Sequence, residues 1–148
     1  IDGKTQTGYV AYICGKNDSV KVSSSKPSES WTYLIVSKYG ANRLTDVTWS
    51  NATFTDAYLS AKAEMETIIT NLWEDSSSRQ WKIFSDGSST SSNWDYYWTA
   101  TADDADSSKA YYASVTTNSN VTGTYAGLVT STKNKTETLK AIGVSYIK

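Results

Sequence analysis

Carboxylates are the side chains of this sequence best placed for acid–base or metal chemistry. Asp103, Asp104 and Asp106 stand close together just after a β-prone run. Closely spaced carboxylates in a loop can hold Ca²⁺, which takes about six to eight oxygen ligands. Their spacing does not follow the EF-hand pattern and its glycine is missing, so a solvated acidic turn is the plainer reading. A facing pair of acids for glycosidic hydrolysis would have to come from Glu64, Glu66, Glu74, Asp95, Asp103, Asp104 and Asp106. Glu64 and Glu66 lie two apart in a helical stretch and cannot face one another. Both read as solvated helix charges.

Other chemistries lack their reagents. There is no histidine, which removes Ser-His-Asp and Cys-His catalysis and every imidazole metal site. The single cysteine, Cys14, cannot form an internal disulfide. It sits in an apolar run and reads as a small buried hydrophobe. No glycine-rich phosphate loop is present. Net charge is -1 and the basic residues are scattered, with nothing denser than Lys133-Asn134-Lys135. Nucleic-acid binding needs dense Lys/Arg to neutralise phosphates, so no nucleic-acid partner is expected. No membrane span is expected either, because no run of about 18 apolar residues exists. The chain is read as a non-enzyme without a cofactor.

The aromatic supply is the strongest functional signal. Tyr (11) and Trp (6) far outnumber Phe (2), and rings with a polar handle suit positions that are half apolar and half wet. Trp94, Tyr96, Tyr97 and Trp98 follow directly on the polar segment Asp86 to Asn93. Sugars stack their C–H faces on such rings while polar side chains take their edges. Asn93 and Asp95 could supply those edges, which makes Asn93, Trp94, Asp95 and Tyr96 the candidate ligand-binding residues. In a strand, Tyr97 points away from Tyr96 and Trp98, so one face should be core and the other accessible. Trp94, nearest the loop, is the expected exposed ring. The plain alternative makes Tyr96 and Trp98 core residues. Four Asn-x-Ser/Thr sequons occur, at Asn17, Asn51, Asn120 and Asn134, as chance allows in a Ser/Thr-rich chain; they matter only in a eukaryotic secretory setting.

The run Tyr97-Trp98-Thr99-Ala100-Thr101-Ala102-Asp103-Asp104-Ala105, then Ala110-Tyr111-Tyr112 and the closing Gly143-Val144-Ser145-Tyr146-Ile147-Lys148, resembles the end of the bacterial C-type lectin-like domains that tip the intimin and invasin adhesins. Thr53-Phe54-Thr55-Asp56-Ala57 resembles the start of that family's first helix, and Glu64 to Ile69 with Leu72-Trp73 its second. The likeness covers Thr53 to Lys148, roughly two thirds of the chain. The family's Leu-Pro-Thr/Ser turn and its disulfide are missing, and Asn93-Trp94-Asp95 is not the Trp-Asn-Asp order of a lectin calcium site. The resemblance implies paired N- and C-terminal strands, an irregular loop region that carries the binding surface, and adhesion or receptor recognition. The partner would be a glycan or a cell-surface protein, and the setting secreted or cell surface. Two other readings stand beside it. One is a pilin or fibre subunit that assembles with other subunits through an exposed strand such as Trp31 to Ser37. The other is a membrane-active β-rich toxin.

The elements that must position these residues are mostly strands. Candidates are Tyr9 to Cys14, Ser19 to Ser23, Trp31 to Ser37, Gln80 to Phe84, Tyr96 to Thr101, Ala110 to Thr116, Thr122 to Val129 and Ala141 to Ile147. Tyr39-Gly40-Ala41-Asn42 ends the Trp31 to Ser37 strand, and the stretch that follows, as far as Trp49, fits no single pattern. Between Thr55 and Trp73, Tyr58, Ala61, Met65, Ile68, Ile69 and Leu72 recur at helical steps. Thr53 or Thr55 would cap that helix, and Ser60 could divide it. The expected fold class is α+β: a single C-type lectin-like domain over residues 1–148, with antiparallel sheets, a short helical layer and a long irregular loop region.

Overall fold

The computed structural model describes residues 8–13, 33–37, 43–55, 57–72, 94–116 and 127–147. In chain order the strands are β1 (Gly8–Ile13), β2 (Tyr33–Ser37), β3 (Arg43–Val47), β4 (Tyr58–Leu59), β5 (Trp94–Ala102), β6 (Lys109–Thr116), β7 (Gly127–Asn134) and β8 (Leu139–Ile147), with one helix, α1 (Lys62–Leu72), between β4 and β5. A short 3-10 turn, Trp49–Asn51, follows β3.

The last strand is the hub. β8 pairs antiparallel with β2, β3 and β4 and parallel with β5 at Tyr97↔Lys140. The continuous order is β1-β2-β8-β5-β6-β7. Among the described residues no helical layer over antiparallel sheets forms. The described chain is mainly β, its sheet is mixed, and α1 spans only 11 residues. The α+β, C-type lectin-like assignment is corrected on that ground. The expected pairing of the N- and C-terminal strands also gives way, since β2 lies between β1 and β8. For the same reason Tyr33–Ser37, the described part of the expected Trp31 to Ser37 strand, is not an exposed assembly edge: β2 has neighbours on both sides.

Strand alternation feeds two cores on opposite faces of the sheet. Tyr97, Ala113, Val115, Val129, Ile142 and Val144 meet Met65, Ile68 and Ile69 of α1 on one face. Trp98, Ala110, Leu139 and Ala141 point the other way and meet Ala52, with Leu44, Val47, Trp49, Phe54 and Leu59 packed around them. That second cover is extended chain rather than helix. Residues 43–49 read ambiguously as sequence because β3 slips register against β8 and gives way at once to a turn.

The helix is shorter than its periodicity predicts. Tyr58 and Leu59 pair with Val144 and Gly143, so β8 takes them out of helical reach. The Ser60 carbonyl then accepts the Ala100 N–H at 2.8 Å, and the Lys62 N–H donates to Thr101 Oγ1 at 2.9 Å. Neither Thr53 nor Thr55 caps α1. Glu64 does part of that work: its carboxylate accepts the Ala61 N–H at 2.8 Å, the reach-back half of a capping box. Glu64 is fully buried, which corrects its reading as a solvated charge, whereas Glu66 is exposed. Tyr58 still packs on the Met65–Ile68 cluster, but from a strand. Asp56 lies outside the described residues, as do Cys14, Ser19 to Ser23, Gln80 to Phe84, Asp86 to Asn93 and the sequons Asn17 and Asn120. β7 runs to Asn134, beyond the expected Val129, because Ser131, Thr132 and Lys133 pair with Tyr112, Tyr111 and Ala110.

Candidate functional site

β5 enters the sheet at Trp94, opposite Thr116 of β6, and keeps register through Trp98↔Tyr112. Tyr96 and Trp98 thus share a face, and their environments diverge because the cover over that face ends between them. Trp98 is 0% exposed, and its indole N–H donates to the Val47 carbonyl at 2.9 Å. Trp49 donates its own indole N–H to the Thr99 carbonyl at 2.8 Å and closes the cover. Tyr96, two residues earlier, keeps 39% of its surface exposed and is the exposed large hydrophobic side chain among the described residues. Tyr97 on the reverse face is buried under α1. The expectation of one core face and one accessible face is corrected accordingly: both faces are covered at 97–98, and among the described side chains of this strand access opens at 96.

Tyr96 does not stand alone. Its ring meets that of Tyr112 edge-on, with centroids 5.5 Å apart and planes at 79°. The Lys133 ammonium lies 5.7 Å from the Tyr96 centroid and 5.6 Å from that of Tyr112. Lys133 in turn bonds Glu137 Oε2 at 2.9 Å. Glu137 Oε1 accepts the Asn134 N–H at 3.2 Å, and the Glu137 N–H donates to the Asn134 carbonyl at 2.9 Å. The tight β7–β8 turn therefore fixes the acid, and the acid fixes the lysine over the ring pair. The hydrogen bond from Lys133 holds the Glu137 carboxyl below its ordinary range, and Glu137 raises the Lys133 ammonium. Both groups are charged at neutral pH. Strand pairing adds Ser114 opposite Tyr96 and Ser131 opposite Tyr112 on the same face.

The four sequence candidates separate. Asn93 lies outside the described residues, and of Trp94 only the strand backbone is described. Asp95 goes to the reverse face, where its carboxylate binds Lys140 at 2.8 Å. Of the two candidates whose side chains are described, Tyr96 sits in the patch just built. Tyr112, Lys133 and Glu137 were missed. The legible signal for the last two was Lys133-Asn134-Lys135-Thr136-Glu137, a lysine and an acid four apart across a tight turn.

The acidic loop has a structural occupation. Asp103 accepts the Ala105 N–H at 2.9 Å and the Thr132 hydroxyl at 3.2 Å. Asp106 accepts the Ser108 N–H at 3.0 Å and its hydroxyl at 2.6 Å, and pairs with Lys109 at 3.0 Å. Ser108 and then Lys109 pull the Asp106 carboxyl down to about 2. These are side chains closing a turn on their own backbone. Among the described residues no three His, Cys, Asp or Glu side chains converge as metal ligands would. No described helix is long and apolar enough to cross a membrane.

No protein-family model, curated protein or solved structure matches this chain.

Proposed function

We propose that this chain is a recognition domain of a secreted or cell-surface protein, an adhesin-type module that captures a glycan or a protein receptor at Tyr96. The observation that carries the reading is an exposed tyrosine held edge-on against Tyr112 at the margin of a covered sheet. A ring held by a strand and a second ring loses little freedom when a ligand lands on it. A few such aromatic anchors usually supply most of the energy of an interface. The reading keeps Tyr96 from the sequence candidates, adds Tyr112 and Lys133, and sets Asp95 aside because it faces away and is paired with Lys140.

The test is binding of the purified chain to arrays of cell-surface glycans and receptor ectodomains, repeated with Tyr96→Ala and with Asp95→Asn as the reverse-face control. Tyr96→Ala is expected to weaken binding about 30-fold, the ~2 kcal/mol of an interface hot spot, and Asp95→Asn to leave it unchanged. Equal binding by wild type and Tyr96→Ala would remove this face from the function.

A further inference from the structure

We infer that the ligand class of this patch is a neutral pyranose, and that the Lys133–Glu137 couple is its specificity determinant. The inference rests on the recognition reading of Tyr96 and goes on to choose among its ligands.

Charge is the first argument. Among the described residues Lys133 is the cation that lies over both rings, and it is already bonded to Glu137 at 2.9 Å. The couple held against the rings therefore carries one positive and one negative charge. An anionic sugar would have to draw Lys133 away from a carboxylate that the Asn134 N–H holds in place. It would also have to approach that carboxylate against its repulsion. A cationic ligand would meet Lys133 over both rings.

Hydrogen-bonding complementarity is the second argument. An ammonium is donor only, and a carboxylate is acceptor only. Held against each other, they offer one donor and one acceptor side by side. Vicinal sugar hydroxyls are each both donor and acceptor, so a neutral diol can satisfy the couple without breaking it. The hydroxyls of Ser114 and Ser131, on strands β6 and β7 of the same face, extend the polar edge. The C–H face of the pyranose would cover Tyr96.

Geometry is the third argument. Every member stands on a strand or a tight turn, so the spacing of ring, ammonium and carboxylate is set before binding. A preformed site of this kind suits a small rigid ring better than a flexible chain.

The experiment is a titration of the purified chain with gluco-, galacto- and manno-oligosaccharides beside their uronic-acid and sialylated counterparts, at 50 mM and 500 mM NaCl. Neutral sugars are expected to bind, with affinity changed less than twofold by salt. Glu137→Gln keeps a hydrogen-bonding side chain but leaves Lys133 uncompensated. It is expected to lose neutral-sugar affinity at least fivefold and to gain salt-sensitive binding of uronic acids. Binding of anionic sugars alone by the wild type, or Glu137→Gln with an unaltered preference, would overturn the neutral-sugar assignment while Tyr96→Ala still reports on the recognition face. A protein ligand bound through Tyr96, with no sugar bound at all, would likewise overturn this inference and leave the recognition reading standing. Circular dichroism confirms that each variant is folded.

Discussion

Tyr96 and Tyr112 meet edge to face at 5.5 Å although one is widely exposed and the other is packed against the second core. The contact is a diagonal one on a single sheet face. Tyr112 is the strand partner of Trp98, two residues along from Tyr96. Diagonal neighbours of this kind are within reach of aromatic side chains, so the fully buried Trp98 indirectly sets where the accessible ring stands. A double-mutant cycle with Tyr96→Ala and Tyr112→Ala, read by urea denaturation, is expected to give a coupling of about 0.5–1.5 kcal/mol. Purely additive losses would show that the two rings merely share a neighbourhood.

Asp46 has φ of 53°, inside the left-handed region that favours glycine. It sits where β3 slips register against β8, between Leu44↔Ala141 and Val47↔Leu139, so the strain belongs to a β-bulge. The bulge re-aims Val47 so that its carbonyl receives the Trp98 indole. Asp46→Gly is expected to raise stability by about 0.5–1 kcal/mol, relief of strain outweighing the entropy of a new glycine. Asp46→Val is expected to lower it by more than that, since a β-branched residue is a true outlier there. Thermal unfolding of the two variants decides the matter, and a stabilised valine variant would refute the bulge account.

Glu64 is a fully buried carboxylate that completes the start of α1 through the Ala61 N–H. Glu64→Ala would leave that donor buried without its acceptor, at a cost of about 1.5–3 kcal/mol. Glu64→Gln keeps an acceptor and is expected to lose less. Amide exchange of Ala61 reads the cap directly, and protection that persisted in the alanine variant would sink the assignment.

Acid sensitivity should concentrate in the turns that flank the sheet. The Asp106 carboxyl lies at about 2 against an ordinary value of 3.8, and Glu137 is also depressed. A carboxyl depressed on folding binds fewer protons in the folded state than in the unfolded one, so stability falls as pH falls. The contribution of Asp106 is complete above about 3.8 and fades as pH drops towards 2. Asp106→Asn is therefore expected to lower Tm at pH 7, where the contribution is complete, and to flatten the fall of Tm between pH 4 and pH 2, where variant and wild type converge. A steeper acid slope in the variant would contradict the linkage.

Much of the sheet was legible because alternation writes itself plainly where one face is covered. Ile142 and Val144 against Ala141, Gly143 and Ser145 read correctly as a strand, even though both sets prove to be buried and β8 begins two residues earlier, at Leu139. What was illegible depended on partners distant in sequence. Tyr58 fits the helical period of Met65 and Ile68 and joins their cluster, so periodicity could not report that β8 claims its backbone. The outer strand β7 carries Thr130, Ser131 and Lys133, a polar run with no core pattern to betray it beyond Val129. For the candidate site, neighbouring positions in sequence became opposite faces in space: Asp95 and Tyr96 part company as soon as the strand forms. Lys133 and Glu137 reach Tyr96 only through the pairing of β6 with both β5 and β7.

Trp98 tests whether the two-sided core holds the site in place. Its side chain is fully buried and its indole N–H meets the Val47 carbonyl. Trp98→Ala removes a large ring from a packed interior and is expected to cost about 3–5 kcal/mol. Trp98→Phe keeps most of the apolar volume but leaves the Val47 carbonyl without its donor, so a loss of about 1–3 kcal/mol is expected. Tyr96→Ala lies on the same face two residues away, yet its exposure limits the loss to well under that of Trp98→Ala. The three variants separate what builds the sheet from what the sheet displays. Equal destabilisation by Tyr96→Ala and Trp98→Ala in urea titrations would place Tyr96 in the core and remove it as a ligand anchor.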